Sequence, residues 1–162
     1  MTPAAEIALL VLDVDGVLTD GRLWYGADGE SLKAFDVRDG HGIKSLVAAG
    51  IGVAVISGRR SAAVTARMRE LGVSDVAQGV GDKARALAEL LKRAAIDARR
   101  VACLVDDTPD LGLMAAVGLP AAVADAHPEV LAAARHVTRA PGGRGAVREF
   151  CDYLLAARGP TQ

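Results

Sequence analysis

An uninterrupted apolar run, Ile7–Leu12, breaks at Asp13-Val14-Asp15-Gly16-Val17-Leu18-Thr19. If the run is a strand, Asp13 and Asp15 share one face of it. Carboxylates crowded in this way need a cation or a shared proton. Acids without His or Cys beside them suit a hard, oxygen-loving cation, and Mg2+ is the expected one. An Asp-Gly turn after a buried strand is the plainer alternative. A second apolar run, Val101–Val105, also ends in acids, Asp106-Asp107-Thr108-Pro109-Asp110. Two strands delivering carboxylates to one sheet edge favour a site, although Asp107 and Asp110 are equally suited to capping a helix. A third run ends in Ser57-Gly58-Arg59. Its hydroxyl, bare backbone and guanidinium suit an anionic oxygen, and a Ser-Gly helix entry explains the same residues. Lys83 opens a helical pattern, where a cation opposes the helix dipole. A bound phosphate justifies that placement; a solvated lysine is the bland reading.

Positioning these groups requires an alternation of strands and helices. Ile7–Leu12, Gly52–Ile56 and Val101–Val105 read as parallel strands buried on both faces, with shorter strands near Asp75–Gln78 and Ala121–Val123. Between them, Asp39 is expected to cap a helix over Gly42–Ala49, and Ser61 opens Ala62–Leu71, stopped by Gly72. Asp82 opens Lys83–Ala94, with Leu87, Leu90, Leu91 and Ala94 on one face. Asp110–Val117, Glu129–Arg135 after Pro128, and Gly145–Ala157 complete the helices. The pattern predicts an α/β fold, a Rossmann-like open parallel sheet with helices on both faces. Arg22–Tyr25 and Leu32–Val37 flank an Asp28-Gly29 turn, so a β-hairpin over about 22–37 is expected to project after the first strand. Residues 140–145 and 158–162 read as a flexible tail.

Composition narrows the function. The 162 residues suit a single domain, 1–162, with 51% apolar and 24% charged residues and a net charge of −1. That balance gives no drive toward nucleic acid or an anionic membrane. Cys103 and Cys151 lie far apart, and the short first apolar run lacks a basic leader, so a soluble cytoplasmic protein is expected. Gly79-Val80-Gly81-Asp82-Lys83-Ala84 fits a dinucleotide G-x-G-x-x-A, but leaves the acids unexplained; no Gly-Lys pair exists for a P-loop. A phospho-acceptor signalling domain also combines acids, Ser/Thr and Lys on such a sheet, but places its paired acids first and its Lys last.

The ordered set Asp13-x-Asp15-Gly16, Ser57, Lys83 and Asp106-Asp107 resembles the haloacid dehalogenase-like phosphohydrolases from about Ile7 to Tyr153. Phe35–Lys44, Ile56–Arg59, Ala126–Glu129 and Val137–Glu149 are similar to the branch that removes phosphate from keto-deoxy sugar acids. Within it the likeness is to the 3-deoxy-D-manno-octulosonate 8-phosphate phosphatases of lipopolysaccharide synthesis; phosphatases for nine-carbon acids share much of the pattern. The resemblance implies Asp13 as nucleophile, Asp15 as acid and base, and Ser57 and Lys83 as phosphoryl holders. It implies Mg2+ on Asp13, Asp15 and Asp106, with Asp107 and Asp110 further out. Asp15, the Asp36-Val37-Arg38-Asp39-Gly40 loop, Lys44, Arg59, Arg67 and Lys83 would bind substrate, with His41 and Arg144 as extras. It further implies a homotetramer assembled through the hairpin, in which a tail reaches the neighbour's site. The gaps from Asp15 to Ser57 and from Ser57 to Lys83 leave no room for a cap domain. Val105 departs from the family's usual Gly; valine can extend the strand and keep Asp106 in place, and a sugar-phosphate-binding pseudo-enzyme is the reading it opens.

Overall fold

In the computed structural model, which describes residues 4–159, six parallel strands form one sheet. Its centre is β1 (Leu9–Leu12), four consecutive buried residues between β4 (Gly52–Ser57) and β6 (Val101–Val105). Beyond β4 lies β5 (Asp75–Gln78); beyond β6 lie β7 (Leu119–Ala122) and the two-residue β8 (His136–Val137). Apolar side chains on both faces of the central strands explain this burial, since helices cover each face. Register sets the site. Leu12 lies opposite both Val55 and Leu104, so β1, β4 and β6 finish side by side.

The helices are α1 (Val37–Ala48), α2 (Ala62–Leu71), α3 (Lys83–Ala94), α4 (Leu111–Ala115), α5 (Pro128–Ala133) and α6 (Ala146–Ala157). α1 packs on α6 and α2, and α4 packs on α3 and α5. Among the described residues no cap domain interrupts the sheet, as expected. Among the described residues no helix is long and apolar enough to cross a membrane.

Several boundaries differ from the sequence expectation, each for a physical reason. α1 starts five residues early because Asp36, not Asp39, caps it, accepting the Arg38 N–H at 2.7 Å. Asp39 is instead buried against the start of α6. The Asp107–Asp110 segment forms a 3-10 turn before α4, and α4 ends early through a tight Ala116 N–H to Leu113 carbonyl bond. β8 escaped notice because two residues carry no periodic pattern. The span 140–145, expected to be flexible, is pinned: Gly142 N–H donates to Asp125 at 2.9 Å and Gly143 N–H to the Val17 carbonyl at 2.8 Å. Of the loose ending expected at 158–162, residues 160–162 lie outside the described residues.

The hairpin consists of β2 (Trp24–Gly26) and β3 (Gly29–Leu32), turning at Ala27-Asp28 with Gly29 at φ +102°. It pairs with no strand of the main sheet.

Candidate active site

At the carboxyl ends of β1, β4 and β6, a cavity of about 270 Å³ gathers Asp13, Asp15, Ser57, Arg59, Lys83 and Asp106, six of the residues singled out from sequence. Open α/β sheets bind ligands at this edge. Ser57 ends β4 and is buried. Lys83 begins α3 and its ammonium turns inward, 3.0 Å from Asp13 Oδ1 and 2.6 Å from Asp110 Oδ1. The G-x-G-x-x-A loop therefore serves to aim Lys83 at the acids.

Carboxylate oxygens of Asp13, Asp106 and Asp110 all lie within 4.8 Å of one another. The electrostatic cost is plain in their protonation. Burial, then the Asp110 charge, pushes Asp13 up to about 6 in spite of Lys83. Burial followed by the Asp13 and Asp110 charges pushes Asp106 up to about 8. Burial also raises Asp110. For Lys83, burial alone would lower the pKa, but Asp13 and Asp110 outweigh it and hold the ammonium charged. One cation faces three acids, so a divalent cation bound by carboxylate oxygens fits the deficit. Asp110, expected further out, belongs to this cluster. The Asp15 side chain does not.

Local backbone makes the crowding feasible. Gly16 sits at φ +88°, and the Asp106 carboxylate fills the space that a Cβ there would take. Thr19 Oγ1 accepts the N–H groups of Gly16 and Gly21, at 3.3 and 3.2 Å, and so closes the loop. Gly142 and Gly143 press against the backbone of Gly16 and of Thr19-Asp20, where neither leaves room for a side chain. This segment thus buttresses the Asp13–Thr19 loop of its own chain. Val105 is buried in β6, opposite Ala122, and extends that strand as expected.

Asp15 is engaged from the hairpin side. Lys33 Nζ donates to Asp15 Oδ1 and lies 3.0 Å from Glu30 Oε1. Arg59 Nη2 meets Glu30 Oε2 at 2.8 Å, and its Nε is 3.9 Å from Asp15 Oδ2. Hydrogen bonding from Arg59 lowers the Glu30 pKa, and Glu30, then Tyr25, keeps Arg59 firmly protonated. Sequence reasoning missed Glu30 and Lys33. The one available signal was a Glu and a Lys three apart in a segment otherwise rich in apolar residues.

The remaining expected substrate residues lie elsewhere. Asp36–Gly40 is not a loop but the cap and first turn of α1. None of Asp36, Val37, Arg38, Asp39, Gly40, Lys44 and Arg67 lines the cavity around Asp13. Arg38 pairs with Asp36 at 2.7 Å and, with Arg144, borders a groove of about 760 Å³ beside α6. Val37, Lys44 and His41 are exposed. Arg67 lies over Gly40 and pairs with Glu70 at 3.1 Å. Asp107 accepts the Thr108 N–H and caps the following turn.

Comparison with known proteins agrees with this geometry. Residues 71–149 match the family model of haloacid dehalogenase-like hydrolases. The chain is 50% identical over 156 residues to the 3-deoxy-D-manno-octulosonate 8-phosphate phosphatase KdsC of Escherichia coli K12, covering 96% of this chain and 83% of that protein. The crystal structure of the Yersinia pestis phosphatase of the same name superposes with a TM-score of 0.94 at 50% identity, covering 96% of this chain and 84% of that one. The Moraxella catarrhalis phosphatase, crystallised in complex with a magnesium ion, a phosphate ion and KDO, gives a TM-score of 0.93 at 41% identity, covering 96% and 89%. The chain belongs to the haloacid dehalogenase-like hydrolases, in the family of the 3-deoxy-D-manno-octulosonate 8-phosphate phosphatases.

Proposed function

We propose that the protein is a Mg2+-dependent phosphomonoesterase that hydrolyses 3-deoxy-D-manno-octulosonate 8-phosphate. The observation that carries this reading is the cluster of Asp13, Asp106 and Asp110 in one cavity, with Lys83 paired to Asp13 and Asp110. Asp13 and Asp106, through their carboxylates, and Asp15, through its main-chain carbonyl, would hold Mg2+. When bound, the ion offsets the repulsion between the Asp13 carboxylate and an anionic phosphoryl group.

Asp13 is the nucleophile. Its carboxylate oxygen forms a bond to phosphorus as the bond to the sugar oxygen breaks, giving an aspartyl-phosphate. Asp15 gives its proton to the departing alkoxide, then takes one from the water that attacks the aspartyl-phosphate. That second displacement frees inorganic phosphate and restores Asp13. Ser57 and Lys83 hold the phosphoryl oxygens as charge develops on them. Arg59, at the rim, pairs with the sugar carboxylate.

The active form is a homotetramer. Trp24, Tyr25 and Leu32 of the hairpin are 53%, 65% and 66% exposed, an apolar patch that asks for a partner. The exposed substrate candidates that miss this chain's cavity, Val37, Arg38 and Lys44, then serve a neighbour's site. The charged sugar phosphate does not cross membranes unaided, and a cytoplasmic location goes with this reading.

Phosphate release from eight- and nine-carbon keto-acid phosphates, with Mg2+ or with chelator, tests the proposal. Mg2+-dependent release from the eight-carbon substrate is expected, and Asp13→Asn should reduce it to background. A stable aspartyl-phosphate that never turns over would overturn the reading in favour of a signalling domain.

A further inference from the structure

An acid and base that works twice in one cycle must present the same oxygen each time. Asp15 follows a strand end, and among the described contacts of its side chain the two cations Lys33 and Arg59 are its partners. They are unequal. Lys33 makes a direct hydrogen bond to Oδ1, whereas Arg59 stands 3.9 Å from Oδ2 and spends its own hydrogen bond on Glu30. The Lys33 side chain is 1% exposed, which is unusual for a lysine. Burying an ammonium is costly unless partners surround it. Here Asp15 and Glu30 supply them, one from the loop after β1 and one from the hairpin.

We infer that Lys33 is a positioning residue for the hydrolytic reaction: its bond to Oδ1 fixes the Asp15 carboxyl so that Oδ2 faces the leaving oxygen and, later, the attacking water. Glu30 completes the device. It holds Lys33 from one side and Arg59 from the other, so that hairpin, acid and rim arginine form one rigid unit. This inference rests on the proposed roles of Asp13 and Asp15. It adds that the hairpin contributes to the chemistry of its own subunit.

The two chemical steps separate this role from a merely structural one. An aryl phosphate such as p-nitrophenyl phosphate leaves as a phenolate that needs no proton, so its first step bypasses Asp15. An alkyl phosphate depends on Asp15 for leaving-group protonation as well as for hydrolysis of the intermediate. Misplacing a catalytic group by about 1 Å costs about 10²-fold. Lys33→Met should therefore lose about 10²-fold in kcat on the sugar-acid phosphate. On the aryl phosphate it should keep the initial burst of phenolate within about threefold of wild type, while the following steady state slows as aspartyl-phosphate accumulates. Equal losses in the burst and in alkyl turnover would show general damage and overturn the inference; so would unchanged alkyl turnover. If Lys33→Met does not fold, Lys33→Gln gives the same comparison. Failure of the wild type to act on the sugar-acid phosphate would strike the substrate assignment, while the aryl burst and steady state still read Lys33.

Discussion

Gly16 and Asp106 share a space that holds only one of them: the Asp106 carboxylate occupies the volume of a Cβ on Gly16. The glycine also sits at φ +88°, where a side chain is strained. Gly16→Ala is thus expected to displace Asp106 rather than to unfold the sheet. Mg2+ affinity and turnover should both fall by about 10- to 100-fold, the usual effect of disturbing a group that supports a metal ligand. Calorimetric Mg2+ titration beside a thermal melt tests this. Wild-type affinity in the variant would mean that Asp106 is not a ligand.

Lys83 has two duties, and its removal should show both. As the proposed phosphoryl holder it would contribute about 10²–10³ in rate. As the partner of Asp13 and Asp110 it compensates buried negative charge, and breaking such a pair costs about 3–5 kcal/mol. Lys83→Ala should therefore be slow and, in chelator, markedly less stable, with Mg2+ restoring part of the stability but little of the rate. Kinetics and melting equal to wild type would overturn both roles.

Metal removal should expose a pH dependence of defined sign. Asp13 and Asp106 titrate at about 6 and about 8 in the folded chain, above the roughly 4 of an unfolded aspartate. Buried Asp39 is likewise pushed up to about 6, chiefly by desolvation. A carboxyl whose pKa rises on folding holds its proton more tightly in the native state, so stability falls as pH climbs. The loss begins near the unfolded value and is complete once pH has passed the highest folded one. In chelator the protein should melt lower at about pH 8.5 than at about pH 5.5. Mg2+, which binds the native acids, should narrow that gap. Melting that rises with pH in chelator, or that ignores Mg2+, would contradict the clustered acids.

Much of this site was legible because its elements obey local rules. Val101–Val105 is an apolar run of strand length, and Lys83–Ala94 has its Asp82 cap and a clear apolar face. Strand ends then had to carry Asp13, Ser57 and Asp106 to one edge. Residues that act through tertiary contact were hidden. Asp39 looks like a helix cap, yet its carboxylate accepts the N–H of Arg148, 109 residues later, at 2.8 Å. Glu30 and Lys33 read as ordinary hairpin polarity until the hairpin folds back over Asp15. Gly142-Gly143 looked loose because glycine is common in mobile segments; here it permits backbone to lie on backbone.

Assembly should depend on the hairpin and should be tested there rather than at the chain end. Truncation before Ala140 would remove α6, whose Phe150, Cys151 and Leu154 are fully buried, and with it the clasp of Arg148 on Asp39. Such a loss of activity would report unfolding. Trp24 and Leu32 offer a cleaner choice, because they pair across β2 and β3, their side chains are exposed, and neither takes part in the ion pairs of the acids or of Lys33. An isolated two-stranded hairpin is marginal in water, and its free edges invite another chain. The double variant Trp24→Ser, Leu32→Ser should keep its fold, sediment as a smaller species than the proposed wild-type tetramer, and lose turnover on the sugar-acid phosphate. Because Lys33 stays paired with Asp15 and Glu30 in its own chain, the aryl burst should be largely kept. Sedimentation velocity at assay concentration, paired with burst kinetics, checks both parts. A wild-type protein that is a fully active monomer would refute the assembly and leave the Asp13 chemistry standing.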